Sequence, residues 1–112
     1  MGGSEKSYLN LKRLADNVGL DEDEYFSLLV LFIETSKTYL RDIKSAILDG
    51  DSTKVYETTH TIRGAADNLG IFDMSEIAKE IEVRARQNIL EGAEEATEFL
   101  MKKLECLTEM YH

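Results

Sequence analysis

The 112-residue chain contains no proline, no tryptophan and a single cysteine, Cys106. One cysteine cannot form an internal disulfide, and no neighbouring cysteine or paired histidine completes a zinc site. The longest uninterrupted apolar run, residues 28–33, is far shorter than the roughly 20 residues that a membrane-spanning helix needs. The N-terminus also lacks the basic stretch followed by an apolar one that marks a secretory signal. These absences favour a cytoplasmic protein without membrane insertion.

Clusters of positive charge are missing as well. The chain has 13 Lys and Arg against 22 Asp and Glu, a formal net charge of −9. Because binding to nucleic acid depends on cations that neutralise phosphates, nucleic acid is a poor partner for this chain. Hydrophobic residues nevertheless make up 43% of the sequence, which disfavours a disordered acidic chain. We expect one domain over residues 7–112, preceded by a flexible N-terminus at 1–6.

Glycines and acidic residues divide the sequence into predicted helices. Four glycines each follow a stretch with helical apolar spacing and can adopt the left-handed conformation that often ends a helix: Gly19, Gly50, Gly70 and Gly92. Acid pairs typical of helix N-caps follow two of them: Asp21 with Glu24, and Asp73 with Glu76. With Asp51 or Ser52 as a further cap, these signals predict helices over about 7–18, 22–49, 52–69, 74–90 and 93–111.

Each of the four later segments carries one apolar stripe with helical spacing. Four amphipathic helices joined by short loops hide such stripes by packing antiparallel. We therefore predict an all-α fold, an antiparallel up-down-up-down four-helix bundle with an additional short N-terminal helix. Because residues 28–33 are apolar on all sides, we expect the first helix to cover Leu28 and Leu31. An exposed apolar binding surface is the alternative.

The segment that carries chemistry, residues 59–70, lies within the third predicted helix. Gly64 falls in the helix interior, where it costs about 1 kcal/mol relative to Ala. At about 100° per residue, His60, Gly64 and Asp67 share the outward face of this helix. Arg63, three residues after His60, adds a permanent cation whose planar donors suit phosphoryl oxygens. The helix thus presents a nucleophilic imidazole, a cation and clearance for another protein's surface.

The pattern His60-x-x-Arg63-Gly64-Ala65-Ala66-x-Asn68-Leu69-Gly70 resembles the signature of histidine-containing phosphotransfer (HPt) domains, and the likeness extends over nearly the whole chain. The resemblance implies a four-helix bundle with an additional N-terminal helix. It makes His60 the phosphorylated residue, Arg63 the phosphoryl-stabilising cation and Gly64 the position that gives the partner clearance. Glu82 and Arg86 fall where some members of the family place polar residues near the active histidine.

The resemblance also implies the partners. His60 would take a phosphoryl group from a response-regulator receiver domain or a sensor histidine kinase and pass it to another receiver. The resemblance assigns Mg²⁺ to the receiver, and we expect no cofactor or metal site on this chain. Because the sequence lacks a phosphate-binding glycine loop and a kinase signature, we expect no ATP site and no enzyme activity of its own. A bundle that closes on itself needs no second copy, so we expect a monomer.

Two departures from the family pattern leave alternatives open. The commoner Lys is replaced by Arg63, and Asp67 stands where a small residue is more frequent. Asp67 could pair with Arg63 or repel a phosphoryl group. The alternative interpretation of Glu82 and Arg86 is an ordinary surface ion pair, since the two residues stand one helical turn apart. The alternative function is a helical interaction module that docks a receiver or kinase without being phosphorylated; a hydrolase with His60 as base lacks a nucleophile and a pocket.

Overall fold

Residues 11–110 are described by the computed structural model, and within them the chain forms five helices and no strand. The all-α prediction is thus confirmed. The helices are α1 (11–17), α2 (Glu22–Leu48), α3 (Ser52–Asn68), α4 (Phe72–Arg86) and α5 (Ala93–Glu109). The flexible start expected at 1–6 and the helix bounds expected at 7 and 111 lie outside the described residues. In the described part, no helix is both long enough and apolar enough to cross a membrane.

Helices α2 to α5 form a closed ring of packed pairs. Among helices α2 to α5, α3 packs against α2 and α4, and α5 packs against α4 and α2, whereas the Cα atoms of the two diagonal pairs stay more than 8 Å apart. The apolar stripes meet inside this ring, where the largest side chains are almost inaccessible to solvent. They include Leu29, Leu40, Ile43, Val55, Ile62, Met74 and Leu100. The most extensive contact joins α3 to α4, the two helices that carry the candidate site.

Helix α1 packs against the core but does not cover the outer side of α2. Ala15 is fully buried, and Leu14 and Val18 are partly buried against the core. Leu28 and Leu31 remain 44% and 59% exposed. The prediction that the first helix covers them is therefore wrong. The reason is the position of α1, because the end of this helix lies at the turn between α3 and α4, with Val18 against Gly70.

The starts of α2 and α3 follow the predicted caps. The Asp21 side chain accepts a hydrogen bond of 2.9 Å from the backbone N–H of Glu24. This bond lowers the pKa of Asp21, because it stabilises the ionised carboxylate. At α3, Asp51 rather than Ser52 is the cap, and its side chain accepts from the N–H of Lys54 at 3.1 Å. Both carboxylates therefore satisfy N–H groups that have no partner within the helix.

The bounds of α4 differ from the prediction at both ends. Helix α4 begins at Phe72 rather than Met74, and Asp73 lies inside it, accepting from the N–H of Met74 at 2.8 Å. It ends at Arg86 because Asn88 adopts the left-handed conformation, with φ 62°. Asn tolerates this conformation better than most residues with a side chain. Gly92 therefore precedes α5 as its N-cap and does not end α4.

Hydrogen bonds at one end of the bundle fix the position of α3. The buried Tyr25 hydroxyl donates to the carbonyl oxygen of Leu69, at the end of α3, over 2.6 Å. The Ser75 hydroxyl of α4 donates to the side chain of Asp67 on α3. Together these bonds tie the end of α3 to both neighbouring helices, which holds the outward face of α3 in place.

We expect Tyr25→Phe to lower the free energy of unfolding by about 1–2 kcal/mol, because it leaves a buried carbonyl oxygen without its side-chain donor. Denaturant unfolding measures the change. The matched control is Tyr39→Phe, since Tyr39 also lies on α2 but is only half-buried; it should change stability by no more than about 0.5 kcal/mol. Equal effects of the two variants would show that the Tyr25 hydroxyl does not hold α3.

Candidate functional site

His60 lies near the middle of α3, and its side chain is 57% exposed. The neighbouring stripe of α3 faces the other way, with Thr59 and Ile62 buried. This alternation follows from the helical period, because residues one position apart are separated by about 100° around the axis. The imidazole is therefore held on the surface by a helix whose opposite face is anchored in the core.

Glu82 of α4 is the centre of the cluster around His60. Its side chain is only 5% exposed, and its Oε2 lies 2.8 Å from Nδ1 of His60. Its Oε1 lies 2.7 Å from Nε of Arg63, and Nη2 of Arg86 lies 3.5 Å from Oε2. The buried Arg63 N–H is not aligned for a hydrogen bond, so this contact is an ion pair. A buried carboxylate requires such partners, because its desolvation is costly.

The same contacts distinguish the two ring nitrogens of His60, because they involve Nδ1. A carboxylate ion paired with guanidinium groups only accepts hydrogen bonds. In the tautomer with hydrogen on Nδ1, His60 donates to Glu82, and the lone pair is on Nε2. Nη2 of Arg63 lies 3.1 Å from Nδ1, but both groups carry hydrogens in this tautomer, so the contact adds no hydrogen bond.

The net charge of the cluster is opposite in sign to the net charge of the whole chain. Glu82 contributes one negative charge, and Arg63 and Arg86 contribute two positive ones. The resulting net charge of +1 contrasts with −9 for the whole chain. The neighbourhood of His60 is thus suited to an anion, although the protein is acidic.

Gly64 lies one turn beyond His60 on the exposed face of α3. A Cβ atom added there would meet no atom within 4 Å, apart from its own helix backbone and chain neighbours. Close packing within the described structure therefore does not explain this glycine. It leaves the surface beside the imidazole open.

Tyr56, which lies one turn before His60 on α3, is a neighbour of the site that sequence reasoning missed. The guanidinium carbon of Arg86 lies 5.2 Å from the centroid of the Tyr56 ring, a distance typical of a cation–π contact. The sequence holds no signal for this pairing, because it depends on how α3 and α4 pack.

Asp67 does not form the ion pair with Arg63 that its spacing suggested. It accepts a hydrogen bond from Ser75, and Arg63 pairs with Glu82 instead. Sequence spacing could have pointed to Glu82, because it stands four residues after Ala78 within the buried stripe of α4. An acid at such a position needs a cationic partner.

An open apolar groove of about 300 Å³ lies between α2 and α3. Its lining includes the exposed Leu28 and Leu31 of α2, and Ala65 and Asn68 of α3. The groove thus shares helix α3 with His60 and Gly64. In residues 11–110, no group of three or more His, Cys, Asp or Glu side chains could hold a metal ion.

A family model described as Hpt domain matches residues 27–111, a span that includes His60, Arg63, Gly64, Glu82 and Arg86. Neither the comparison with curated proteins nor that with solved structures finds a match. Hpt domains are histidine phosphotransfer modules of two-component phosphorelays. They are phosphoryl carriers rather than catalysts, and they interact with kinases and receiver domains.

Replacing Glu82 by Gln should disturb the cluster in two ways. We expect the free energy of unfolding to fall by about 1–3 kcal/mol, because two arginines lose their shared counter-ion. We also expect the fraction of His60 with hydrogen on Nε2 to rise, since an amide can donate to Nδ1 as well as accept from it. Denaturant unfolding and ¹⁵N NMR of the imidazole measure these effects. The control is Glu80→Gln, at an exposed position of α4. If Glu82→Gln has no greater effect than this control on stability or on the tautomer of His60, Glu82 does not organise the site.

Proposed function

The chain belongs to the Hpt domain family, and from this premise we propose that it exchanges a phosphoryl group between His60 and an aspartate of a response-regulator receiver domain. The observation that carries the proposal is the exposed His60 ring, whose Nδ1 lies 2.8 Å from the buried carboxylate of Glu82. This contact supports Nε2 as the nucleophile, because the hydrogen stays on Nδ1. A sensor histidine kinase is the alternative phosphoryl donor.

The transfer step can be written with these atoms. The lone pair of Nε2 attacks phosphorus, and the N–P bond forms as the P–O bond to the receiver aspartate breaks. The bonding electrons leave with the aspartate oxygen, which becomes a carboxylate. Nδ1 keeps its hydrogen, so the ring gains a positive charge, and the adjacent Glu82 carboxylate balances it. The reverse step returns the phosphoryl group to an aspartate.

The arginines contribute charge to this step. Phosphoryl transfer depends mainly on positioning and on stabilising the charge spread over the phosphoryl oxygens. We propose that Arg63 stabilises the phosphoryl group and that Arg86 assists it. Glu82, the carboxylate in contact with His60 in the described part of the chain, is already paired with both arginines, so the site does not fit Mg²⁺. We therefore assign Mg²⁺ to the receiver domain, and we propose that this chain is a substrate of its partners, without an ATP site.

The surface around His60 is suited to a docked protein. A receiver has to bring its aspartate close to Nε2, and the open space at Gly64 supports such an approach. We propose that the exposed Leu28 and Leu31 supply the apolar contact beside the reacting groups, because exposed apolar patches of this kind mark interaction sites.

We expect His60→Gln to abolish phosphoryl acceptance from a phosphorylated receiver, because no nucleophilic nitrogen remains at this position. Stability should change by no more than about 0.5 kcal/mol, since the side chain is exposed and the Gln amide can still donate to Glu82. Acid-labile label on the chain is the measurement. The control is His112→Gln, which removes the other histidine of the chain and should keep the label.

Two outcomes would contradict the proposal. Label that persists in His60→Gln would mean that another residue is the acceptor. A wild-type chain that binds the phosphorylated receiver but takes up no label would be an interaction module without phosphotransfer.

Substitutions at Gly64 should affect the stability of the chain and the rate of phosphoryl transfer in opposite directions. We expect Gly64→Ala to raise the free energy of unfolding by about 0.5–1 kcal/mol, because Ala favours the helix and its methyl group meets open space. Gly64→Gln should keep or raise the melting temperature but slow transfer by about 10- to 100-fold, because a side chain there misplaces the reacting groups. The control is Lys102→Gln, at an exposed position of α5, the helix diagonal to α3 in the bundle. A Gly64→Gln variant that unfolds more easily and transfers normally would assign the glycine to packing.

A further inference from the structure

Arg86 is an exposed cation that contacts two other side chains, Glu82 and Tyr56. Its side chain is 59% exposed, and an arginine in this situation samples many rotamers unless contacts restrict it. Its ion-pair distance to Glu82 is 3.5 Å, which is longer than a good charge-assisted hydrogen bond. The stack on Tyr56 is the second contact. The ring is therefore, with Glu82, one of the two side chains that can restrain this guanidinium.

The position of Tyr56 relates this contact to His60. Tyr56 stands four residues before His60 on α3, and Arg86 stands four residues after Glu82 on α4. The contact between Tyr56 and Arg86 therefore lies one helical turn along from that between His60 and Glu82. One turn is about 5.4 Å, a distance that the end of an arginine side chain can span towards Nε2 of His60.

An aromatic ring holds a cation without cancelling its charge. A carboxylate at position 56 would also attract Arg86, but it would neutralise the positive charge that a phosphoryl group needs. The two arginines differ in this respect, because the Nε of Arg63 is buried against Glu82, whereas Arg86 remains exposed. Arg86 is thus the cation whose N–H groups are freer to meet an incoming anion.

We propose that Tyr56 is a positioning residue for phosphoryl transfer: its ring holds the guanidinium of Arg86 beside His60, where it meets the phosphoryl oxygens. This inference rests on the proposed function of His60. Tyr56 takes no part in the covalent step. The N–P bond to His60 forms as the P–O bond to the receiver aspartate breaks, and Arg86 contributes only its charge.

The test compares Tyr56→Leu and Tyr56→Phe, each in the wild-type and Arg86→Gln backgrounds. The measurement is the rate of transfer from a phosphorylated receiver at saturating concentration. Tyr56→Leu should lower this rate by about two- to fivefold, the factor that a cation–π contact at an exposed site is worth. Tyr56→Phe keeps the ring and should retain the wild-type rate. In the Arg86→Gln background, Tyr56→Leu should cause no further loss.

The matched control is Tyr39→Leu, which removes another half-buried tyrosine, on α2, and should leave the rate unchanged. Equal losses from Tyr56→Leu in both backgrounds would overturn the proposal, because Tyr56 would then act independently of Arg86. A Tyr56→Phe variant as slow as Tyr56→Leu would also overturn it.

A second measurement needs neither phosphate nor a partner. The ¹⁵N heteronuclear NOE of Arg86 Nε should be high in the wild type and in Tyr56→Phe, and low in Tyr56→Leu. If it is low in the wild type, the ring does not restrain Arg86 and the positioning proposal fails, even where phosphotransfer to His60 occurs. If the NOE follows the expected pattern but the wild type takes up no label, the failure lies in the proposed function, and the role of Tyr56 in transfer falls with it.

Discussion

The buried carboxylate of Glu82 is the constraint on which the arrangement of the site depends. An ion in this position is tolerated only with compensating partners. Its partners come from α3 and α4, the two helices that make the most extensive contact in the bundle. His60 and Arg63 approach from α3, and Arg86 approaches from α4. One acid therefore contacts the histidine and both cations, while the imidazole side chain stays 57% exposed.

The remainder of the bundle keeps this arrangement at a fixed place on the surface. Tyr25 and Ser75 bind the end of α3 from α2 and α4, and the buried stripe that includes Ile62 anchors the same helix from inside. Reactive groups on regular helices are positioned more precisely than groups on loops. The site accordingly combines an exposed imidazole with a rigid support, which suits the proposed transfer, because placement supplies much of the rate of such a reaction.

Properties that depend on one helix alone could be predicted from the sequence. The outward direction of His60 and Gly64 follows from the helical period, and the caps Asp21 and Asp51 act within a few residues of themselves. Properties that depend on how helices meet could not. The contact between His60 and Glu82 joins positions 22 residues apart, and the exposure of Leu28 depends on where α1 packs. The early end of α4 depends on the left-handed conformation of Asn88. Helix ends predicted from the positions of glycines do not include this one.

The contact between Nδ1 of His60 and Glu82 has a consequence for the proposed relay. If Glu82 occupies Nδ1, only Nε2 is left to react, and every phosphoryl donor or acceptor would have to approach the same nitrogen. In the proposed relay, a donor and an acceptor therefore cannot occupy the carrier together. Transfer proceeds by alternation, in which one partner leaves before the next arrives, and an excess of one receiver delays delivery to another. Competition for one nitrogen atom would then set the order of events in the relay.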